Sequence, residues 1–237
     1  MNKINLFKPG LVIYCSKSHD GNMSKKYGND EIVQENINNF FCDIKIDKKY
    51  CQNYHILNSD TICTFDELAD YNFNTDAVII TKPNQYVYLA FGDCIPFVVY
   101  DNNKNIVGFA HLGWNSICKK LHIKLLQELL KTYQSKKENL MVYFGPSISA
   151  NSYAFPNPAQ KNMVDWKEYI RFENNLYYID LVGYIINDIK NFGINETRII
   201  NNNIDTATNK NYFSHYRSVH QGIPEARFIF GAGLKNK

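Results

Sequence analysis

Several features that would assign a chain to a class at once are missing from these 237 residues. No apolar run approaches the roughly 18 residues that a membrane-spanning helix requires. The chain has neither a basic block nor an acidic tail, and its formal net charge is only +3 at pH 7, which argues against a dominant role in nucleic-acid binding. No internal repeat or low-complexity linker divides it. We therefore expect a globular protein with neither a membrane nor a nucleic acid as partner.

Cysteine is present, but not in the spacings that mark closed metal sites or disulfide frameworks. The six cysteines are scattered and form no Cys-x-x-Cys pair. The first residues do not read as a secretory signal, because Lys8-Pro9-Gly10 interrupts a short apolar stretch and no small-residue cleavage site follows. We therefore expect a cytoplasmic chain with reduced thiols.

Hydrophobic residues make up 45% of the chain, enough for a large core, and the length favours one domain over residues 1–237. Strand and helix patterns are mixed without strict βαβ alternation, which predicts the α+β class. Periodicity predicts strands at 11–15, 77–81, 86–91, 97–100, 106–110, 140–144, 198–204 and 227–230, and helices at 30–41, 116–131 and 181–191. Asp180 and Gly193 suit the two caps of the last helix.

The chemistry-bearing residues cluster at strand ends. Cys94 follows the strand at 86–91, and His111 ends the strand at 106–110. A five-residue polar turn at 101–105 predicts a hairpin, which would direct both side chains into one space. A thiolate beside an imidazole makes either a metal site or a nucleophile–base pair. With His55 upstream, two histidines and one cysteine give the ligand count of an open zinc site.

Two motifs in this region resemble those of a known family. Gly92-Asp93-Cys94-Ile95-Pro96 resembles A-D-C-x-P, and His111-Leu112-Gly113-Trp114 resembles H-A-G-W-R. Both belong to the laccase-domain family, also called the polyphenol oxidase or multicopper oxidase-like family, some members of which are described as peptidoglycan editing factors. Weaker pieces follow in the family's order along almost the whole chain: Ser18–Ser24, Gln52–His55, Thr75–Ala77, Gly145–Ile148 with Tyr153, and Tyr212–Arg217.

The resemblance implies a fold, a metal and a reaction. The fold would be layered mixed sheets covered by helices, of the cysteine-hydrolase type. Zn²⁺ would be held by His55, Cys94 and His111, with Asp93 joining the last two as a catalytic residue. The reaction would be phosphorolysis of adenosine, inosine or related purine nucleosides, with adenosine deamination as a second activity. The partners would then be a purine nucleoside and phosphate.

The chain departs from the family pattern where phosphate would be bound. The family's arginine after Gly-Trp is Asn115, the arginine of the N-terminal segment is Ser18, and the family's Cys-Thr pair is Asp205-Thr206. Neither asparagine nor serine supplies the charged, bidentate contact that arginine gives to phosphate. Ser18 and Asn115 remain candidate substrate-binding positions. Trp114 would either stack on a base or pack in the core, and Arg217 would bind phosphate or pair with a carboxylate.

Three other functions stay open at this point. The first is a copper-dependent polyphenol oxidase, although the His-rich runs of a multicopper cluster are absent. The second is a hydrolase with Cys94 as nucleophile and His111 as base. The third is a non-catalytic metal-binding protein, which the missing arginines favour.

The redox expectation can be tested directly. After denaturation and metal removal, all six cysteines should react as thiols, because a chain in a reducing compartment keeps its thiols free. Titration with a chromogenic disulfide reagent counts them. A reproducible disulfide in protein handled without oxidant would contradict the prediction.

Overall fold

The computed structural model describes residues 3–4, 10–69 and 74–235; Lys8 and Pro9, the predicted break in the apolar N-terminal stretch, lie outside them. The strands are β1 (Lys3–Ile4), β2 (Leu11–Cys15), β3 (Cys51–Gln52), β4 (Ile62–Thr64), β5 (Ala77–Ile80), β6 (Gln85–Phe91), β7 (Ile95–Asp101), β8 (Ile106–Leu112), β9 (Leu140–Phe144), β10 (Ala154–Phe155), β11 (Ile170–Glu173), β12 (Leu176–Ile179), β13 (Ile199–Asn201) and β14 (Phe228–Leu234). The α-helices are α1 (Asp30–Asp43), α2 (Trp114–Cys118), α3 (Leu121–Lys131), α4 (Leu181–Phe192) and α5 (His215–Gln221).

The strands form two large sheets and one small one. The first large sheet has the order β1-β2-β14-β6-β3, and the second has the order β13-β9-β7-β8-β5-β4. Both are mixed: β7 pairs with β8 antiparallel, as the predicted hairpin requires, whereas β3 pairs with β6 and β4 with β5 in parallel. The small sheet has the order β10-β12-β11.

The two large sheets pack face to face and are covered by helices on their outer faces. Because side chains alternate along a strand, Val98 and Tyr100 of β7 enter the core between the sheets, while Phe97 and Val99 face α3 and α4. On the other outer face, α1 packs Phe40 and Phe41 against the first sheet. The α+β prediction, with layered mixed sheets flanked by helices, is confirmed. No helix in the part of the chain that the structure describes has the length and apolarity of a transmembrane segment.

Local signals locate most of the long elements. The caps predicted for α4 are confirmed: the Asp180 carboxylate accepts a hydrogen bond from the Gly183 amide, and Gly193 has φ of 104°. The single helix predicted over 116–131 is wrong, because Lys120 adopts a left-handed conformation, with φ of 60°, that separates α2 from α3. The small sheet and α5 were not predicted, since their strands are short and weakly patterned. All six cysteines are unpaired.

Candidate active site

Cys94 and His111 meet where β7 begins and β8 ends. In the antiparallel register Pro96 lies opposite His111, so Cys94, two residues before Pro96, shares a sheet face with the imidazole. The two side chains converge beside Gly113, where a Cβ atom would lie 3.5 Å from His111 Cε1 and 3.6 Å from Cys94 Sγ. The predicted convergence of Cys94 and His111 is thus present in the structure.

His111 is enclosed by an aromatic ring, a thiol and a carboxylate. Its side chain is almost fully buried, with the Phe91 ring centroid at 5.4 Å. Nδ1 lies 3.8 Å from Asp76 Oδ1, too far for a hydrogen bond, and has no other partner. Burial alone would lower the pKa of His111, but the charges of Cys94 and Asp76 outweigh burial and raise it to about 9. Without a metal, His111 is therefore protonated at neutral pH and lies beside the Cys94 thiol.

Asp76 connects this pair to the segment that follows His55. Its carboxylate, which is fully buried, accepts hydrogen bonds from the amides of Leu57, Asn58 and Ser59, and from the Ser59 hydroxyl at 2.6 Å. Desolvation raises the pKa of Asp76, but neighbouring His111 and Ser59 outweigh it and the pKa is lowered. An anionic Asp76 therefore holds residues 57–59 close to His111.

His55 itself does not join Cys94 and His111. Its side chain is exposed, and its backbone carbonyl accepts the amide of Thr75 at 3.0 Å. Among residues 10–69 and 74–235, no group of three His, Cys, Asp or Glu side chains is placed to hold a metal ion. Cys94 and His111 fit two zinc ligand positions, and a carboxylate behind a ligating histidine is a common arrangement at zinc sites. His55, the third predicted ligand, directly precedes the 57–59 segment that is hydrogen-bonded to Asp76.

A cavity of about 370 Å³ opens on Cys94. That volume lies within the range of small-molecule sites, about 300–1,000 Å³. Its walls are mostly aromatic and aliphatic, and no lysine or arginine among the described residues lines it; the aromatic and histidine side chains of the lining are Trp114, Tyr153, Phe155, His215, Tyr216 and His220. Burial, then the charges of Cys94 and Asp93, raise the pKa of Tyr153 to about 12, so its hydroxyl stays protonated. The cavity suits a flat, largely apolar ligand.

Asp93 joins the two walls of the cavity. Its φ is 91°, a left-handed value that few residues other than glycine adopt. The carboxylate accepts hydrogen bonds from the Thr206 hydroxyl on Oδ1 and from the Tyr216 amide on Oδ2, each at 2.6 Å. The backbone carbonyl of Asp93 accepts one from the Ile148 amide. Both carboxylate oxygens are thus already engaged, so the geometry gives Asp93 a positioning role beside the predicted catalytic one.

The predicted substrate-binding residues divide into two pairs. Trp114, 36% exposed, and Asn115 line the cavity at the start of α2. Ser18 does not line it, and its hydroxyl donates a hydrogen bond to the Lys210 carbonyl at 2.8 Å. Arg217 is also outside the lining: its guanidinium donates to the backbone carbonyls of the 206–212 loop, at Thr206, Ala207, Asn209 and Tyr212. Arg217 was predicted to bind phosphate or to pair with a carboxylate, but in the structure it stabilises the 206–212 loop.

Sequence reasoning missed the wall contributed by α5. His220, which carried no predicted role, lines the cavity with its ring stacked on Tyr216 at 3.8 Å between centroids. His215 lies beside them. Only the 212–217 motif pointed to this wall. Local sequence patterns could not, because these residues lie more than 100 positions from Cys94.

Comparison with known proteins gives a consistent result over most of the chain. Residues 15–228 match the family model described as multi-copper polyphenol oxidoreductase laccase. A Clostridium acetobutylicum protein named purine nucleoside phosphorylase is 31% identical over 224 residues, which cover 86% of this chain and 85% of the relative. One of the same name from Rickettsia prowazekii is 26% identical over 92% of this chain and 88% of the relative.

A solved structure resembles the fold. The Bacillus licheniformis protein YfiH superposes with a TM-score of 0.82 at 17% identity, covering 95% of this chain and 93% of that one. At that identity the likeness shows the fold alone.

The role of Asp76 is testable by stability. Asp76→Asn should lower the free energy of unfolding by about 2 kcal/mol at pH 7, because buried amides lose a charged acceptor. Since folding lowers this carboxyl's pKa, its contribution is present above about pH 3.9, the unfolded value, and is lost as the pH falls through the folded value. Urea denaturation should show that the difference in free energy of unfolding between wild type and Asp76→Asn is smaller at pH 3.5 than at pH 7. An equal difference at both would contradict the prediction.

Proposed function

Because this chain belongs to the multi-copper polyphenol oxidoreductase laccase family, we propose that it is a purine nucleoside phosphorylase acting in the Cys94 cavity. Relatives of that name align over most of its length. The observation that carries the proposal is an aromatic-walled cavity lined by Cys94, whose side chain converges with His111 beside Gly113. Aromatic faces accept a purine ring, and Asn58, Cys94 and Asn115 offer polar groups where a ribose and a phosphate would react.

The reaction is a displacement at the ribose C1′ atom. The bond from C1′ to the purine nitrogen breaks with its electrons going to the base, and a phosphate oxygen forms the new bond to C1′. Trp114 and Tyr153 would hold the base, and Asn115 and Asn58 offer amide groups near Cys94 to the sugar or phosphate. Asp93 keeps this edge in place through Thr206 and Tyr216.

Zinc is part of the proposal. Cys94 and His111 would hold it with His55 as the third ligand, and Asp76 would orient the His111 ring from behind. When bound, zinc would polarise a substrate or phosphate oxygen, or activate water for adenosine deamination. Copper is the alternative metal that the family's description suggests.

One observation favours a second candidate function. Without metal, Cys94, His111 and Asp76 form a nucleophile, a base and a carboxylate behind the base, which is the arrangement of a cysteine hydrolase. Rapid alkylation of Cys94 in protein that carries no metal as isolated would favour that function.

Metal content tests the ligand set. We expect about one zinc per chain, and a sharp loss in His111→Ala and in Cys94→Ala, because an open zinc site uses three protein ligands. His19→Ala is the matched control, since His19 is exposed and outside the cavity. Elemental analysis gives the content. Full zinc in either ligand variant would contradict the assignment, and full zinc in His55→Ala would remove His55 from it.

Phosphate dependence tests the reaction. Wild type should release free base from inosine or adenosine only with phosphate, and weakly, because no described lysine or arginine lines the cavity. Asn115→Arg should raise kcat/KM for phosphate about 10-fold, as expected for one charged hydrogen bond. Asn39→Arg, an exposed position on α1, adds the same charge elsewhere and should change nothing. No base release in either wild type or Asn115→Arg, with zinc bound, would favour a non-catalytic role.

A further inference from the structure

A second histidine–carboxylate pair lies on the α5 wall of the cavity. His215 lines the cavity, and its Nδ1 atom is 3.0 Å from Glu225 Oε2. The same oxygen is 2.8 Å from an Nη2 atom of Arg227. None of these three residues takes part in the Cys94–His111 pair or in the proposed zinc site.

Arg227 is a fixed partner for Glu225. Its side chain is 12% exposed, its guanidinium lies 4.1 Å from the centroid of the Tyr27 ring, and its Nη1 donates to the Ala226 carbonyl. Its aliphatic part packs against Gly92, where a Cβ atom would lie 2.8 Å from Arg227 Cδ. Desolvation raises the pKa of Glu225, but Arg227 and His215 outweigh it and the pKa is lowered. Glu225 is therefore an anion held in one position.

This arrangement decides which nitrogen of His215 can react. A carboxylate only accepts hydrogen bonds, so Nδ1 carries the hydrogen that Glu225 receives. Nε2 remains outside that pair and makes no hydrogen bond within the described part of the chain. Nε2 is thus available to a ligand in the cavity that His215 lines.

Resting on the proposed phosphorolysis, we propose that His215 is the catalytic residue that protonates the leaving purine, with Glu225 and Arg227 as positioning residues. As the bond from C1′ to N9 breaks, its electron pair moves into the purine ring. The Nε2–H bond of the His215 imidazolium breaks, and its proton bonds to a purine nitrogen. Neutral His215 then takes a proton from the phosphate ester or from water, so that the proton lost by phosphate reaches the base.

The other groups at the cavity are less suited to this step. His111 lies between Cys94 and Asp76 and is a proposed zinc ligand. His220 is stacked on Tyr216, and its Nδ1 contacts the neutral Tyr216 carbonyl at 2.8 Å, not a carboxylate. Asp93 is bound to Thr206 and to the Tyr216 amide. His215 is the histidine in the cavity wall whose Nδ1 faces a carboxylate outside the Cys94 site, and that contact fixes the orientation of its ring.

A substrate that needs no proton separates catalysis from structure. 7-Methylinosine carries a fixed positive charge on its base, which departs without protonation, whereas inosine requires the proton. His215→Gln should lower kcat about 100-fold on inosine, the lower end for general acid catalysis, and less than about 3-fold on 7-methylinosine. His19→Gln is the matched control, because His19 also pairs with a carboxylate, Asp20, but lies outside the cavity. It should leave both rates unchanged.

Glu225→Gln supplies a milder second variant in case His215→Gln folds poorly. This variant keeps a hydrogen-bond acceptor but loses the charge. It should therefore lower kcat on inosine about 10-fold and leave kcat on 7-methylinosine unchanged. Equal losses on both substrates, or no loss on inosine, in a variant with the wild-type melting temperature would overturn the role of His215. If wild type releases no base from either nucleoside with inorganic phosphate, the proposed function itself fails, and this role with it.

Discussion

The buried carboxylate of Asp93 is the constraint on which the site depends. Its left-handed backbone turns the chain between β6 and β7, and its two oxygens hold Thr206 and the first turn of α5. Backbone strain of this kind costs about 1–3 kcal/mol and persists where surrounding contacts require it. Here those contacts join segments 113 and 123 positions apart in the chain. Through these two hydrogen bonds, Asp93 links the chain next to Cys94 to Thr206 and to α5.

One cavity thereby receives two sets of ionisable groups. On one side Cys94 and His111 lie in front of Asp76, which also anchors the segment after His55. On the other, His215 is tied to Glu225 and Arg227. The aromatic lining between them favours a flat base, while the absence of lysine and arginine from the described lining leaves phosphate without a strong cation. The proposed cleavage of the bond between sugar and base would use groups from both sides, and weak phosphate binding would follow from the missing arginines.

The strands around Cys94 and His111 could be predicted from the sequence because a polar turn and alternating apolar residues specify a hairpin locally. The caps of α4 were predicted for the same reason, since an Asp and a Gly act on adjacent backbone. The break at Lys120 was not, because the apolar stripe runs through it and only its left-handed conformation separates the helices. The pairing of His215 with Glu225 and the backbone contacts of Arg217 depend on how the C-terminal loop folds on itself, which no periodic pattern encodes. His55 remains a predicted ligand that the structure leaves apart from Cys94.

A crystal structure with inosine and sulfate, which replaces phosphate but cannot complete the reaction, would test the two-sided site most directly. The purine ring should lie in the cavity against Trp114 and Tyr153. Its C1′ atom should face the Cys94–His111 edge, and a ring nitrogen should be within hydrogen-bonding distance of His215 Nε2. Inosine bound outside this cavity, or with its ribose turned away from Cys94, would contradict the proposed site.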